Sequence, residues 1–100
     1  RNPNAQPTRR HYVVLLDAYA NSRVGNAGHL AEGFIRHMKA TGVQQPDTLC
    51  YNIAIKAWTK AKRGRESAEH ADRILDEMDV EKDLITYSSV ISAWAASGMR

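Results

Sequence analysis

An all-α chain built as a stack of antiparallel helix pairs, an α-solenoid of about five helices, is the fold class the residues predict, on three observations. Tyr12, Tyr51 and Tyr87 each stand seven residues before a second ring, Tyr19, Trp58 and Trp94, and an alanine (Ala18, Ala57 or Ala93) directly precedes that ring. The copies are spaced 39 and then 36 residues apart. Ala31, Phe34, Ile35 and Met38 are matched forty residues later by Ala71, Ile74, Leu75 and Met78, both sets at i, i+3, i+4 and i+7. That spacing places each set on one buried helical face. Self-similarity at such a period marks arrays in which one unit cannot bury its apolar face alone and leans on its neighbours. Function in such an array is expected along a shared surface, not in an enclosed pocket.

The elements follow in order. Residues 1–8 read as a linker or the end of a preceding repeat, since Asn2 to Pro7 looks like a closing turn. Residues 9–47 form a first repeat: a helix around Tyr12 and Tyr19, then a second carrying Ala31 to Met38, which Gly42 is placed to cap. Residues 48–83 form a second repeat. Pro46 and Asp47 supply a stop and an N-cap, and Leu49, Tyr51, Ile53, Ile55 and Trp58 then run without a breaker until Gly64. The helix bearing Ala71 to Met78 follows. Residues 84–100 contribute one helix, from about Leu84 to Ser97, capped by Asp83. The chain starts at Arg1 without a methionine and stops at Arg100 midway through its pattern, as a piece of a longer protein would.

Composition narrows the class. With 43% apolar and 25% charged residues the chain suits a soluble domain, and no apolar run approaches the roughly 18 residues needed to span a bilayer. Cys50 is the only cysteine, which rules out an internal disulfide framework and a cysteine-based zinc site. Cys50 reads instead as a small packing residue inside an apolar stretch. The net charge of +3 conceals a segregation: residues 1–64 carry a balance of +7 and residues 65–83 one of −5. One part of the surface therefore attracts polyanions while another repels them.

Helical geometry assigns faces to the first helix of the second repeat. At about 100° per residue, Tyr51, Ile55 and Trp58 share a stripe and Asn52, Lys56, Thr59 and Arg63 share another. The first stripe is expected to be core and the second exposed, lining the open side of the stack. The acidic run Glu66, Glu69, Asp72, Asp76, Glu77, Asp79 and Glu81 is expected on the opposite, outward surface. If Asn52 were sealed inside, or shared a surface with Glu69 and Asp76, the functional reading below would lose its basis.

Pro46-Asp47-Thr48-Leu49-Cys50-Tyr51-Asn52-Ile53-Ala54-Ile55 resembles the first-helix start of the pentatricopeptide repeat family, as does Asp83-Leu84-Ile85-Thr86-Tyr87-Ser88-Ser89-Val90-Ile91. Ile74-Leu75-Asp76-Glu77-Met78 resembles the end of that family's second helix. The likeness covers nearly the whole chain from about Pro7. It implies a right-handed superhelix in a mitochondrion or plastid, acting in RNA processing or expression. Its first helices would line a concave groove that reads single-stranded RNA one base per repeat. The resemblance carries base reading to Asn52 with Asp83, to Val13 with Asp47, and to Ser88; the first of these pairs looks like the family's pyrimidine combination, usually uracil. It carries the apolar wedge on which bases stack to Leu49 and Ile85, and to Arg10 in the first repeat. Val13 offers no hydrogen bond to a base edge and Arg10 replaces the wedge with a charge, so the first repeat departs from the pattern. Lys56, Lys60 and Arg63 fit phosphate contacts, although cations near a helix C-terminus also suit its dipole. No cofactor, metal or small-molecule substrate is implied; protein partners in an RNA-processing complex are.

Two rival classes are weaker. A tetratricopeptide-like scaffold for protein partners shares the stacking physics, but its period is about 34 residues and its first-helix glycine is missing here. An enzyme would need a constellation that is not present: His11, His29, His37 and His70 lack metal-site spacing, and there is neither a phosphate loop nor a serine elbow. His37 and His70 are expected at helix surfaces.

Overall fold

In the computed structural model, which describes residues 9–21, 26–42, 45–61 and 64–98, the chain is all-helical, with no strand among those residues. Five helices follow one another: α1 (Arg9–Asn21), α2 (Ala27–Thr41), α3 (Thr48–Ala61), α4 (Arg65–Glu77) and α5 (Leu84–Ala96). Residues 1–8, expected to close a preceding repeat, lie outside the described residues, as does Arg63.

The boundaries have local causes. Gly42 takes the left-handed conformation (φ 70°) that returns its N–H to the Met38 carbonyl, ending α2 where a side chain would be strained. The Asp47 carboxylate accepts the Cys50 N–H at 3.1 Å, satisfying one of the free donors at the start of α3. At α5 the cap is reciprocal: Asp83 Oδ1 accepts the Thr86 N–H at 2.9 Å and the Asp83 N–H donates to Thr86 Oγ1 at 3.2 Å. The described part of α3 runs to Ala61, and Gly64, with φ 62°, stands at the N-cap of α4.

α3 is the hub. It packs against α1, α2, α4 and α5, and its residues Cys50 to Ile55, Ala57 and Trp58 are all buried. The helices of odd number run the same way, since Lys60 Nζ reaches Asn21 Oδ1 at one end and Thr48 Oγ1 donates to the Glu81 carbonyl at the other. α2 and α4 lie against α3 on its other side, and their stripes Ala31, Ile35, Met38 and Ala71, Ile74, Met78 are buried as their periodicity requires. Phe34 and Leu75, expected in those stripes, are partly buried and border the core. Phe34 nonetheless holds the first repeat's rings together, 5.5 Å from Tyr12 and 5.7 Å from Tyr19 between centroids.

The three marker tyrosines differ for a topological reason. Tyr12 and Tyr51 are buried because α2 and α4 follow and cover them, whereas Tyr87 is 47% exposed. With Leu84 and Ile91 it forms an apolar face on α5 that no described helix covers.

Candidate functional site

Side chains of α1, α3 and α5 border a hollow of about 400 Å³, lined by Val13, Val14, Asp17, Leu49, Asn52, Ile53, Lys56, Ile85 and Ser89. A second hollow of about 320 Å³ continues it through Lys56 and Ile85 to Ser88 and Ser92. No α2 or α4 residue lines either one, so the Asn52 side is separate from the acidic surface that bears Glu69 and Asp76.

Asn52 corrects the expectation of a fully exposed stripe. It is 7% exposed, because α5 packs against α3 at this level. Its amide is engaged at both ends: Nδ2 donates to Asp83 Oδ1 at 3.2 Å and Oδ1 accepts from Thr86 Oγ1 at 2.5 Å. An ionised carboxylate only accepts, so the nitrogen must face Asp83 and the oxygen must face the hydroxyl. The Asp83 carboxyl is held below its ordinary range, first by the Thr86 backbone N–H, then by the Thr86 hydroxyl and the Asn52 amide. Asn52 is thus the near-buried floor of the hollow and is not sealed from it. Thr59 is half-buried and its hydroxyl donates to the Ile55 carbonyl at 3.1 Å; Lys56 alone of the described stripe stands free in solvent.

The other candidates divide. Leu49 and Ile85 are exposed and line the same hollow as Asn52, giving it an apolar ledge. Val13 lines the same hollow from α1 and also packs on the core. Ser88 lies in the adjoining hollow. Arg10 is exposed beside a different depression, with His11, Val14 and Leu15. Asp47 is half-buried, caps α3 and borders neither hollow. Lys60 is exposed and donates to Asn21.

Four residues went unread in the sequence. Thr86 is fully buried and completes the Asn52–Asp83 pair; its place three residues after an N-cap aspartate was the available signal. Asp17 adds a carboxylate to the lining beside Lys56. Glu32 and Gly28 belong to the opposite side of α3. The Glu32 carboxylate, 5% exposed, accepts from Trp58 Nε1 at 2.7 Å, from His70 Nδ1 at 2.7 Å and from Arg73 at 2.6 Å. Burial pushes its carboxyl up, but the hydrogen bonds from Arg73, His70 and Trp58 outweigh that and hold it below the ordinary value. His70 is therefore not the surface histidine expected: it stacks on the Trp58 ring at 3.9 Å, and its side chain is largely covered. His37 is exposed, as expected.

Among the described residues no group of three His, Cys, Asp or Glu side chains is arranged to hold a metal ion, and no helix is long and apolar enough to cross a membrane. Comparison of the chain with protein-family models, curated proteins and solved structures finds no match in any of the three.

Proposed function

We propose that the chain is a segment of a right-handed pentatricopeptide-type solenoid that binds single-stranded RNA along the α1/α3/α5 face, in the RNA processing or expression of a mitochondrion or plastid. The observation that carries this reading is the grouping at the hollow: the Asn52 amide, hydrogen-bonded to Asp83, shares its lining with two exposed apolar side chains, Leu49 and Ile85, and with the Lys56 cation. Each member suits one part of a nucleotide. The apolar ledge offers a stacking surface to a base, the amide a hydrogen bond to its edge, and the ammonium a contact for the phosphate.

Magnitudes bound the strength. Stacking contributes about 1–3 kcal/mol per base, and two or three bases cannot give tight binding once ordering costs are subtracted. Affinity in this reading accumulates over a longer array. Asp17 opposes phosphate at the α1 side of the hollow, so the backbone track runs past Lys56 and Lys60. The role is that of a binding module and not of a catalyst.

The apolar share of the lining, Val13, Val14, Leu49, Ile53 and Ile85, would also suit an extended peptide, as in a tetratricopeptide-like scaffold. Salt separates the two. Binding of single-stranded RNA should weaken as salt rises, and Lys56→Ala should reduce the slope of log K against log salt by about 1. Asn52→Thr should shift base preference at one nucleotide of the bound RNA. Affinity independent of salt, or an equal change at every nucleotide, would remove the support for base reading and leave the peptide.

A further inference from the structure

We propose that Thr86, a residue that no ligand can touch, is a positioning residue for base selection at Asn52. The proposal rests on the RNA-binding reading and deepens it.

Thr86 is fully buried, so it can act on a ligand only through a neighbour. Its hydroxyl oxygen lies 2.5 Å from Asn52 Oδ1 and 2.8 Å from Asp83 Oδ1, and a hydroxyl has one proton to donate. Asp83 Oδ1 already receives the Thr86 backbone N–H at 2.9 Å and the Asn52 Nδ2–H at 3.2 Å. The Asn52 oxygen is the closer acceptor and has no other hydrogen-bond donor described, so the proton goes there. The Thr86 oxygen in turn accepts the Asp83 N–H at 3.2 Å, which fixes the direction in which its own proton points.

The amide is thereby clamped in one of its two orientations. Flipped, it would set its oxygen against the Asp83 carboxylate oxygen, two acceptors facing each other. Clamped, it has one N–H and one lone pair left, each in a fixed direction, at the floor of the hollow. A base edge presented there meets a defined donor and a defined acceptor, and discrimination follows from that definition. With the hydroxyl removed, Asp83 still holds the nitrogen but the oxygen loses its anchor, so the amide can swing about that one remaining bond and the directions of its free N–H and lone pair are no longer fixed.

The clamp spans two repeats. Asn52 belongs to α3, whereas Asp83 and Thr86 sit at the start of α5. The packing of one repeat on the next therefore sets the readout of the earlier one, and a loosened α3–α5 contact would blur selection before it abolished binding.

The test is selection from a pool of single-stranded RNA with randomised nucleotides, using the full protein and its Thr86→Val, Thr86→Ser, Asn52→Ala and Asn52→Ala/Thr86→Val variants. Thr86→Val, which keeps the shape and removes the hydroxyl, should narrow the base preference at one nucleotide by about fivefold, the worth of a single hydrogen bond, and leave the other positions unchanged. Thr86→Ser should restore it. In the Asn52→Ala background Thr86→Val should produce no further change in preference, which a merely structural role would not predict. If Thr86→Val does not keep its helical circular dichroism, Thr86→Ala takes its place in the same comparison. Unaltered preference in a folded Thr86→Val or Thr86→Ala protein overturns the proposal alone. Failure of the unmodified protein to select any RNA overturns the RNA-binding reading and the proposal with it.

Discussion

The two polar networks that α3 supports, one on each side, have opposite properties. On the α2/α4 side, Glu32 gathers Trp58, His70 and Arg73 onto one carboxylate, with Arg36 at 3.3 Å as a fourth partner. On the α1/α5 side, Asn52, Asp83 and Thr86 form a smaller, uncharged-to-charged triad that borders open space. The first is spent on itself: a buried carboxylate must have its charge compensated, and the surrounding donors do only that. The second retains hydrogen-bonding capacity beside a surface hollow. Buried polar groups alone do not single out a candidate site; unspent hydrogen-bonding capacity facing a cavity is what does so here.

This contrast can be broken from either side. The largest effect is expected at Glu32, where Glu32→Ala should cost about 2–4 kcal/mol in chemical denaturation, because the fully buried Trp58 Nε1–H then has no acceptor and the contacts with His70 and Arg73 are lost. A loss under about 1 kcal/mol would show that the cluster is peripheral to stability. On the proposed RNA-binding reading, base preference in the same variant should stay unaltered as long as the protein folds.

Gly28 comes next. A Cβ at this position would run into the Trp58 ring, so Gly28→Ala should destabilise by about 1–3 kcal/mol although alanine is the better helix former. Stabilisation by that substitution would mean that the indole can move aside.

Acid should then distinguish the two sides. Because the Glu32 carboxyl titrates below its ordinary value of 4.5, its contribution is complete above that value and is lost as pH falls through the folded-state value. Glu32→Gln should therefore flatten the acid limb of a stability–pH curve. Asp83 shifts in the same direction, but it is exposed and water already solvates it, so Asp83→Asn should change that limb much less. A limb that follows Asp83 instead would reverse the ranking of the two networks.

The smallest effect belongs to Asn52→Ala. Removing one amide that makes two hydrogen bonds should cost about 1 kcal/mol, since Asp83 can turn to water and Thr86 can return its proton to Asp83. Its consequence should appear in binding and hardly in melting, the converse of Glu32→Ala.

Local residues made much of the fold legible. The αL glycine at 42 and the aspartate caps at 47 and 83 announce themselves, because capping is a short-range matter of one side chain and the next three amides. The i, i+3, i+4, i+7 stripes of α2 and α4 are legible for the same reason. Glu32 was harder to read. It falls four residues after Gly28 and three before Ile35, on the inner face of α2, and only its partners from α3 and α4 explain a charge there. The Asn52 stripe was read as exposed because helical periodicity treats a helix as having one neighbour, and α3 has four.

What the chain alone determined was helical identity, most helix boundaries and the residue types beside the future hollow, the first two set by interactions within about one helical turn. The tertiary structure decided how much of each face remained open, which carboxylate would be buried and compensated, and that Thr86 would close on Asn52 from 34 residues away. Those outcomes depend on groups distant in sequence being desolvated together, and no periodicity along a single helix encodes them.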